Sequence, residues 1–493
     1  ANRWTSMRNA QELSVGPHST FLVFLCLSLV LVLSPQAQSA EAQEEGRQTT
    51  RYLEENNQIR RDKFDLVLPQ IMRERDIDMW IHVMRLAIPD AFGAEELGST
   101  SGVFIFTDRG GDRIERAILG RRWGARQRAR GGGAAYRDPI EELGAYDIIG
   151  APIFVREPLA GPMIEYDFRF KGLREFVAAR DPQRIALNYK GDLGEWETYT
   201  DFGGARDGLS YTDYRLLAEE IGDKYASRLV SSEYVMMDYI LRKVPSEIQL
   251  LKTMSAESVE RVKNTFAEIV PGATSNRETV FRRMSKGLSQ RGRSEGWENS
   301  VVQEGDIVAS PETGIYAYVL REGETEPPPE IQKLWEKYLT VDRILVDTIR
   351  AGLTPREIIG EYTRKFEEEG IIVRDPQLHM FIPKNDFVAY SEGFDPSKTH
   401  LSVDAHGMMK GARNRPDENY LGPRIGSYGP DWTKDIPLPD NYHFVLEYFF
   451  YMPSPAGEGQ DQYLLWWDHE PVIATANGVE YLSPPQKELY LIQ

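Results

Sequence analysis

The chain contains almost no cysteine. Its 493 residues include a single one, Cys26, which lies inside an apolar segment near the start of the sequence. If that segment is removed, the protein has no thiol and no disulfide, so its stability must come from burial of a hydrophobic core. The composition is globular, with 41% hydrophobic and 27% charged residues. The length is sufficient for two domains with cores of their own.

Net positive charge is also missing. The chain has 58 Lys and Arg against 76 Asp and Glu, which gives a formal net charge of −18. A surface of this sign repels phosphate groups, which argues against a nucleic-acid-binding protein. One basic run, Arg121 to Arg130 followed by Gly131 to Gly133, is predicted to be a solvated loop.

Long apolar runs are absent except for one, the thirteen residues from Phe21 to Leu33. The run is shorter than the ~20 residues that cross a bilayer as a helix. With Arg8 before it and the small residues Ala40 and Ala42 after it, it has the pattern of a secretory signal. We therefore predict a signal peptide over residues 1–42, an exported protein of the periplasm or extracellular space, and no stable membrane insertion after cleavage. An uncleaved membrane anchor is the alternative.

Hydrophobic periodicity after this segment predicts alternating helices and strands. A polar stretch (residues 43–59) precedes a helix from Arg60 to Arg75, and apolar runs from Trp80 to Met84 and from Gly102 to Thr107 predict strands. A partner strand is predicted from Arg113 to Leu119, a helix from Leu173 to Arg180 and a strand from Arg184 to Tyr189. This alternation is typical of an α/β domain.

A repeat follows from residue 244 onward. A long amphipathic helix, with a capping box predicted at Ser246 and Gln249, ends before a Pro-Gly turn, and strand-like segments come after it. About 80 residues later a second long helix leads to a glycine turn and a capping box at Thr354 and Glu357. Two such units predict a pseudo-symmetric domain with a sheet core, helices outside and a site where the halves meet.

Histidine is rare and unevenly distributed. Five of the seven lie in the last 115 residues: His379, His400, His406, His443 and His469. The strand-like runs of the same region carry Glu447 and Glu470. Imidazoles and carboxylates on adjoining strands are suitable ligands for a divalent metal ion. Chance clustering of ordinary core or surface histidines is the alternative.

Several short motifs occur in the order found in the creatinase, prolidase and aminopeptidase P family. They are Ile71–Trp80, Val244–Ile248, Gly305–Val308, Tyr318–Leu320 and Gly478–Leu482. The chain resembles most closely the secreted Xaa-Pro aminopeptidase-like branch. This resemblance implies a mixed α/β (α+β) fold, with a creatinase/prolidase-like N-terminal α/β domain over residues 60–243. Residues 244–493 would form a pseudo-two-fold pita-bread domain, a curved antiparallel sheet covered by helices.

The resemblance also implies a metal site. In this family two Asp, one His and two Glu hold two divalent ions, of which Mn, Co and Zn are the candidates here. The metal-binding His corresponds best to His400, the first Glu to Glu447, and the position of the second Glu is occupied by His469. A further family histidine, a proton shuttle or oxyanion donor, corresponds to His406.

The two Asp ligands have no counterpart. The segment between Gly305 and Tyr318 is about one strand too short, and its acidic residues are Asp306 and Glu312. Asp306 is predicted to belong to the preceding turn, and Glu312 is a poor substitute. Without these carboxylates two dications leave too much charge uncompensated, so one metal ion or none is expected instead of two.

Three functions remain open on this basis. The first is a metallo-aminopeptidase that removes an N-terminal residue from Xaa-Pro peptides, and the second is an inactive pita-bread protein that binds peptides or a protein partner. The third is a mononuclear or metal-free, creatinase-like C–N hydrolase. A homodimer is a further expectation from the family. Trp466 and Trp467 are predicted to be structural rather than pocket-lining, and Arg413, Arg415 and Arg424 are candidates for holding a substrate carboxylate.

Overall fold

The computed structural model describes residues 53–84, 92–123, 139–151, 153–154, 169–189, 191, 208–274, 282–284, 301–310, 313–374, 397–407, 422–426, 431–453 and 463–493. All of them belong to one compact unit, Leu53–Gln493. The other unit, Ala1–Tyr52, lies outside the described residues, as do the predicted signal peptide and most of the basic run. No helix of the described ranges is long and apolar enough to cross a membrane.

The first part of the unit is a mixed sheet with helices around it. Its strands are β1 (Met79–Val83), β2 (Val103–Thr107), β3 (Glu115–Leu119), β4 (Arg122–Trp123), β5 (Ile148–Ile149), β6 (Ile153–Phe154), β7 (Ile185–Leu187) and β8 (Leu229–Ser231). Six of these form a sheet in the order β5-β3-β2-β1-β7-β8, and β4 pairs with β6. The predicted strands at Trp80, Gly102, Arg113 and Arg184 are all confirmed, the first with bounds shifted by one residue and the others with shorter bounds.

Helices pack on both faces of this sheet. Residues 53–62, a π-helical turn Lys63–Val67 and α1 (Leu68–Glu74) form one continuous helical stretch, so the predicted first helix is confirmed. The other helices are α2 (Pro139–Leu143), α3 (Leu173–Ala178), α4 (Tyr211–Ile221), α5 (Asp223–Ala226) and α6 (Glu233–Leu241), with a π-helical turn at Gly93–Leu97. Phe64, Leu68 and Ile71 are buried in one core, as their helical spacing predicts.

The second part contains two further sheets. Helix α7 (Pro245–Ala267) precedes a sheet in the order β18-β11-β10-β9, which we call the hairpin sheet. Its strands are β9 (Arg282–Met284), β10 (Ile307–Ser310), β11 (Ile315–Val319) and β18 (Tyr490–Ile492). Helices α8 (Pro329–Thr348) and α9 (Pro355–Glu368) precede the large sheet, whose strands are β12 (Ile371–Arg374), β13 (Thr399–Gly407), β14 (Arg424–Gly426), β15 (Tyr442–Pro453), β16 (Tyr463–Thr475) and β17 (Gly478–Tyr481). A 3₁₀ turn spans Asp431–Lys434.

The predicted repeat has one correct and one wrong cap. Thr354 accepts a hydrogen bond from the backbone N–H of Glu357, whose side chain returns to the Thr354 N–H, so this capping box is confirmed. Helix α7 instead begins at Pro245 with Val244 as N-cap and no side-chain cap. The hydroxyl of Ser246 bonds Asp62 on the N-terminal helix instead, so a tertiary contact replaces the predicted box. The helix predicted from Ser275 lies outside the described residues.

Helices cover one face of the large sheet. Alternate residues of its strands, including Leu401, Val403, Leu446 and Tyr448, share one hydrophobic core with residues of α8 and α9. Because side chains alternate along a strand, the residues between them point to the opposite face. That opposite face carries the polar side chains of the candidate site. The mixed α/β class is confirmed, and the predicted boundary between residues 243 and 244 stays a prediction.

Candidate metal centre

Three neighbouring antiparallel strands bring the candidate ligands together. In the register of β15 and β16, Glu447 lies opposite His469. In the register of β13 and β15, His406 lies opposite Val445, two residues from Glu447. Side chains on a strand repeat every two residues, so His406, Glu447 and His469 all point to the face that α8 and α9 leave uncovered.

The three side chains converge. One ligand atom from each, a ring nitrogen or a carboxylate oxygen, lies within 4.8 Å of the other two. Nε2 of His406 is 3.4 Å from Oε2 of Glu447. The His406 and His469 rings meet edge to face, with centroids 6.1 Å apart. His406 and Glu447 are buried, whereas His469 is half-buried, so the group has one side closer to solvent.

Neighbouring groups contact two of the three residues. Nδ1 of His406 is 3.4 Å from the carbonyl oxygen of Gly407. A tautomer with its proton on Nδ1 points that proton at this carbonyl and leaves the lone pair of Nε2 facing Glu447. The backbone N–H of His469 donates to Oδ1 of Asp468 at 2.8 Å, and the hydroxyls of Tyr338 and Tyr448 donate to Oδ2 of Asp468.

Acidic residues on the helix-covered face form a separate set. Burial raises the pKa of Asp468 to about 7 and the pKa of Asp342 to about 6, and it raises the pKa of Glu470 well above its ordinary value. Alternation along β16 places Asp468 and Glu470 on the face opposite to His469. Asp468 and Glu470 are therefore directed away from the histidines of the candidate site.

The structure brings His406, rather than His400, to Glu447 and His469. His400 is buried at the start of β13, six residues before His406 and on the same face. At ~3.3 Å per residue this separates the two histidines by about 20 Å. The cluster in the structure differs in one member from the predicted set of His400, Glu447 and His469, which stays a prediction. Strand register explains the difference, because it places His406 opposite Val445, diagonal to Glu447.

The hairpin sheet contains the segment in which the Asp ligands were sought, and their absence stays a prediction. Oδ2 of Asp306 accepts a hydrogen bond of 2.7 Å from the backbone N–H of Gln303, so Asp306 belongs to the turn before β10, as predicted. Strands β10 and β11 then form a tight hairpin in which Ser310 lies opposite Ile315. Glu312 lies outside the described residues. Within the described ranges the hairpin supplies no member of a three-ligand group.

Two further predictions concern Trp466 and Arg424. Trp466 is fully buried and packs against Tyr316, with ring centroids 4.5 Å apart and ring planes tilted by 35°, so its predicted structural role is confirmed. Arg424 does not present a free guanidinium to a substrate, because it forms two hydrogen bonds with Asp404, of 2.7 and 2.6 Å. Arg413, Arg415 and the side chain of Trp467 lie outside the described residues.

Sequence reasoning missed Asp404. Asp404 is buried, on the same face of β13 as His406 and two residues before it. The signal that was available is the spacing Asp404-x-His406, which puts a carboxylate beside an imidazole on any strand. Asp404 is not a member of the three-ligand group, because its carboxylate is directed at Arg424.

No family model matches the chain, and no curated protein is similar to it in sequence. Similar solved structures cover most of it. An X-Pro aminopeptidase from Thermotoga maritima MSB8 is 15% identical over 86% of this chain and 100% of that one, with a TM-score of 0.47. A Xaa-Pro dipeptidase from Bacillus anthracis is 16% identical over 88% and 99%, with a TM-score of 0.44. A proline aminopeptidase P II from Yersinia pestis is 12% identical over 88% and 97%, with a TM-score of 0.45. The chain is thus similar along most of its length to structures of Xaa-Pro peptidases, the class that its sequence motifs resemble.

Proposed function

We propose that this protein is a metal-dependent hydrolase that removes the N-terminal residue of peptides, in the manner of Xaa-Pro aminopeptidases. It would use one divalent ion instead of two. The observation that supports this proposal is the convergence of His406, Glu447 and His469, from three adjacent strands, to within 4.8 Å of one another. The peptide substrate is proposed from the sequence motifs alone.

The donor set fits one divalent ion. Two imidazoles and one carboxylate, with a position left for water or substrate, are the ligands of mononuclear hydrolytic zinc sites. Mn and Co accept the same donors, so the ligands do not select among the three metals. One carboxylate offsets half the charge of one dication, and a second dication would be left without compensation.

Each residue of the candidate site would have a separate role. His406 and His469 would hold the ion through neutral ring nitrogens, and Glu447 would hold it through its carboxylate. When bound, such an ion polarises a carbonyl group and lowers the pKa of a bound water. The Gly407 carbonyl would keep the His406 ring in the tautomer that presents Nε2 to the site. The half-buried side at His469 would be the approach for a substrate.

Metal content is the direct test. Purified protein is incubated with Mn, Co or Zn, desalted and analysed by mass spectrometry, and circular dichroism verifies that each variant is folded. We expect one equivalent in the wild type and in His400→Ala, and none in His406→Ala, Glu447→Gln or His469→Ala. Release of the first residue from Xaa-Pro peptides should follow metal content.

The His400→Ala variant is the matched control, since it removes an imidazole from the same strand and face. If His400→Ala loses the metal and His406→Ala keeps it, the ligand set predicted from the sequence, with His400 in place of His406, is correct. A metal-free wild type would reject the metallopeptidase. It would leave a peptide-binding protein without catalysis or a metal-free C–N hydrolase.

We also propose that the protein is exported, on the basis of its sequence. A homodimer is proposed on the basis of the resemblance to the creatinase, prolidase and aminopeptidase P family. The apolar run Phe21–Leu33 with small residues at Ala40 and Ala42 supports cleavage near residue 42. N-terminal sequencing of protein recovered from the periplasm or medium tests this directly, and full-length protein retained in the membrane fraction would favour an anchor. Light scattering of the purified protein gives the oligomeric state.

A further inference from the structure

A buried ion pair lies beside the candidate metal centre. Arg424 Nε and Nη2 donate to the two carboxylate oxygens of Asp404 at 2.7 and 2.6 Å, and both residues are nearly inaccessible, with 2% and 3% exposure. Such bidentate pairs have a fixed geometry. The pair spans β13 and β14, which are antiparallel.

The strand register places this pair next to the ligands. Val403 lies opposite Tyr448 and His406 opposite Val445, so the intervening Asp404 is level with Glu447 on the neighbouring strand. Side chains level across antiparallel strands have Cβ atoms about 5 Å apart. Glu447 is therefore flanked by His469 on one side and by Asp404 on the other.

The position of Arg424 depends on a glycine. On β14, Arg424 lies opposite His406 and Gly426 lies opposite Asp404. A Cβ on Gly426 would be 2.5 Å from the carbonyl oxygen of Val403, closer than any side chain tolerates. The absence of a side chain at Gly426 therefore lets β14 lie close to β13, where Arg424 bonds the Asp404 carboxylate.

We propose that Arg424 is a positioning residue that restricts the site to one metal ion. Given the proposed function, on which this role rests, the carboxylates of Asp404 and Glu447 together would suit a second cation. The guanidinium occupies both oxygens of Asp404 and adds a positive charge beside His406. A second dication would have to displace this pair and would be repelled by the same charge.

The charge balance supports this reading. Arg424 neutralises Asp404, and Glu447 is the one carboxylate of the three-ligand group, which matches a single ion. Removal of the guanidinium leaves two carboxylates level with each other, and like charges opposite one another on a sheet destabilise it. A second cation bound between them would relieve that repulsion.

Metal titration of four proteins tests the inference. Wild type, Arg424→Gln, Arg424→Lys and the double variant Asp404→Asn/Arg424→Gln are titrated with Mn by calorimetry, and bound Mn is counted after desalting. We expect one equivalent in the wild type and in Arg424→Lys, which keeps the charge. We expect two in Arg424→Gln and one again in the double variant, whose neutral pair has nearly the native shape.

Each outcome is decisive. One equivalent of Mn in both the wild type and a folded Arg424→Gln overturns the role of Arg424 and leaves the proposed function intact. Two equivalents in the wild type also overturn the role of Arg424. A metal-free wild type rejects the proposed function. If Arg424→Gln then gains metal that the double variant lacks, the role of Arg424 is still supported, whereas absence of metal from every variant rejects both proposals.

Discussion

His443 is a fully buried imidazole on the polar face of the large sheet. Neither of its ring nitrogens has a hydrogen-bond partner among the described residues. Burial is the main cause that lowers the pKa of His443 to about 3; the charge of Lys243 acts in the same direction and that of Glu247 in the opposite one. His443 is therefore neutral in the folded protein at the pH at which an exposed histidine would be half protonated.

The buried state of His443 predicts acid sensitivity. The ordinary pKa of histidine is about 6.5, so the unfolded chain takes up a proton first as the pH falls. The free energy of unfolding is then fully maintained above pH ~6.5 and decreases by about 1.4 kcal/mol per pH unit between pH ~6.5 and the folded pKa. Urea unfolding at a series of pH values should show that His443→Leu lacks this contribution to the slope.

Carboxylates with raised pKa values, such as Asp342 and Asp468, contribute a slope of the opposite sign in both proteins. The difference between the two pH profiles is therefore the quantity to compare, and not either profile alone. Parallel profiles would show that His443 takes up its proton at the same pH in the folded and the unfolded chain, and that an interaction with the ring offsets its burial.

Strands β13 and β14 depend on the absence of a side chain at Gly426. Gly426 has φ +150°, and its built Cβ lies 2.5 Å from the Val403 carbonyl oxygen and 3.2 Å from Cα of Asp404. Both contacts are with backbone atoms, which cannot move independently of the sheet. Any side chain at this position must push β14 and its Arg424 away from β13.

We expect Gly426→Ala to lower the free energy of unfolding by about 1–3 kcal/mol more than Gly352→Ala, a cost typical of overpacking. Gly352 is the matched control, since it also has a positive φ, +87°, but its Cβ would meet nothing within 4 Å. Chemical denaturation of the two variants measures the difference. Equal losses would mean that backbone conformation alone, and not the contact with β13, determines the effect.

The parts of the molecule are joined by a buried network of charges. Lys63 is fully buried on the N-terminal helical stretch, and its ammonium lies 3.6 Å from Glu247 at the start of α7 and 3.8 Å from Glu96. It also donates to the carbonyl oxygen of Tyr239 at 2.8 Å. Glu247 in turn pairs with Lys243 at 3.2 Å. Ion pairs of this kind tie the first sheet to the second part of the chain.

We expect Lys63→Met to destabilise the protein by about 3–5 kcal/mol, because it leaves buried carboxylates without their partner. The control is Arg215→Ala in α4, which removes an exposed pair with Glu219 and should change stability by less than about 1 kcal/mol. Thermal and urea unfolding measure both. Similar small changes for the two variants would show that Lys243 alone compensates Glu247.

Local chemistry made much of this architecture predictable. The apolar spacing of Phe64, Leu68 and Ile71 specified a helix face, and Thr354 with Glu357 specified a cap, since both signals arise from residues within one or two turns of each other. Asp306 was likewise recognised as a turn residue from its neighbours. The same kind of local evidence gives a wrong prediction at Ser246, where it indicates a capping box. The partner of Ser246 is instead Asp62, which is 184 positions away in the chain.

Tertiary structure alone decided which residues come together in the candidate site. The sequence indicated that histidines and carboxylates share neighbouring strands, but the choice of His406 over His400 depends on the register between β13 and β15. Register is set by the packing of the opposite face against α8 and α9, since a shift of one residue would expose that core. The pairing of Arg424 with Asp404 has the same origin, because it requires β14 to lie beside β13 with Gly426 opposite the carboxylate.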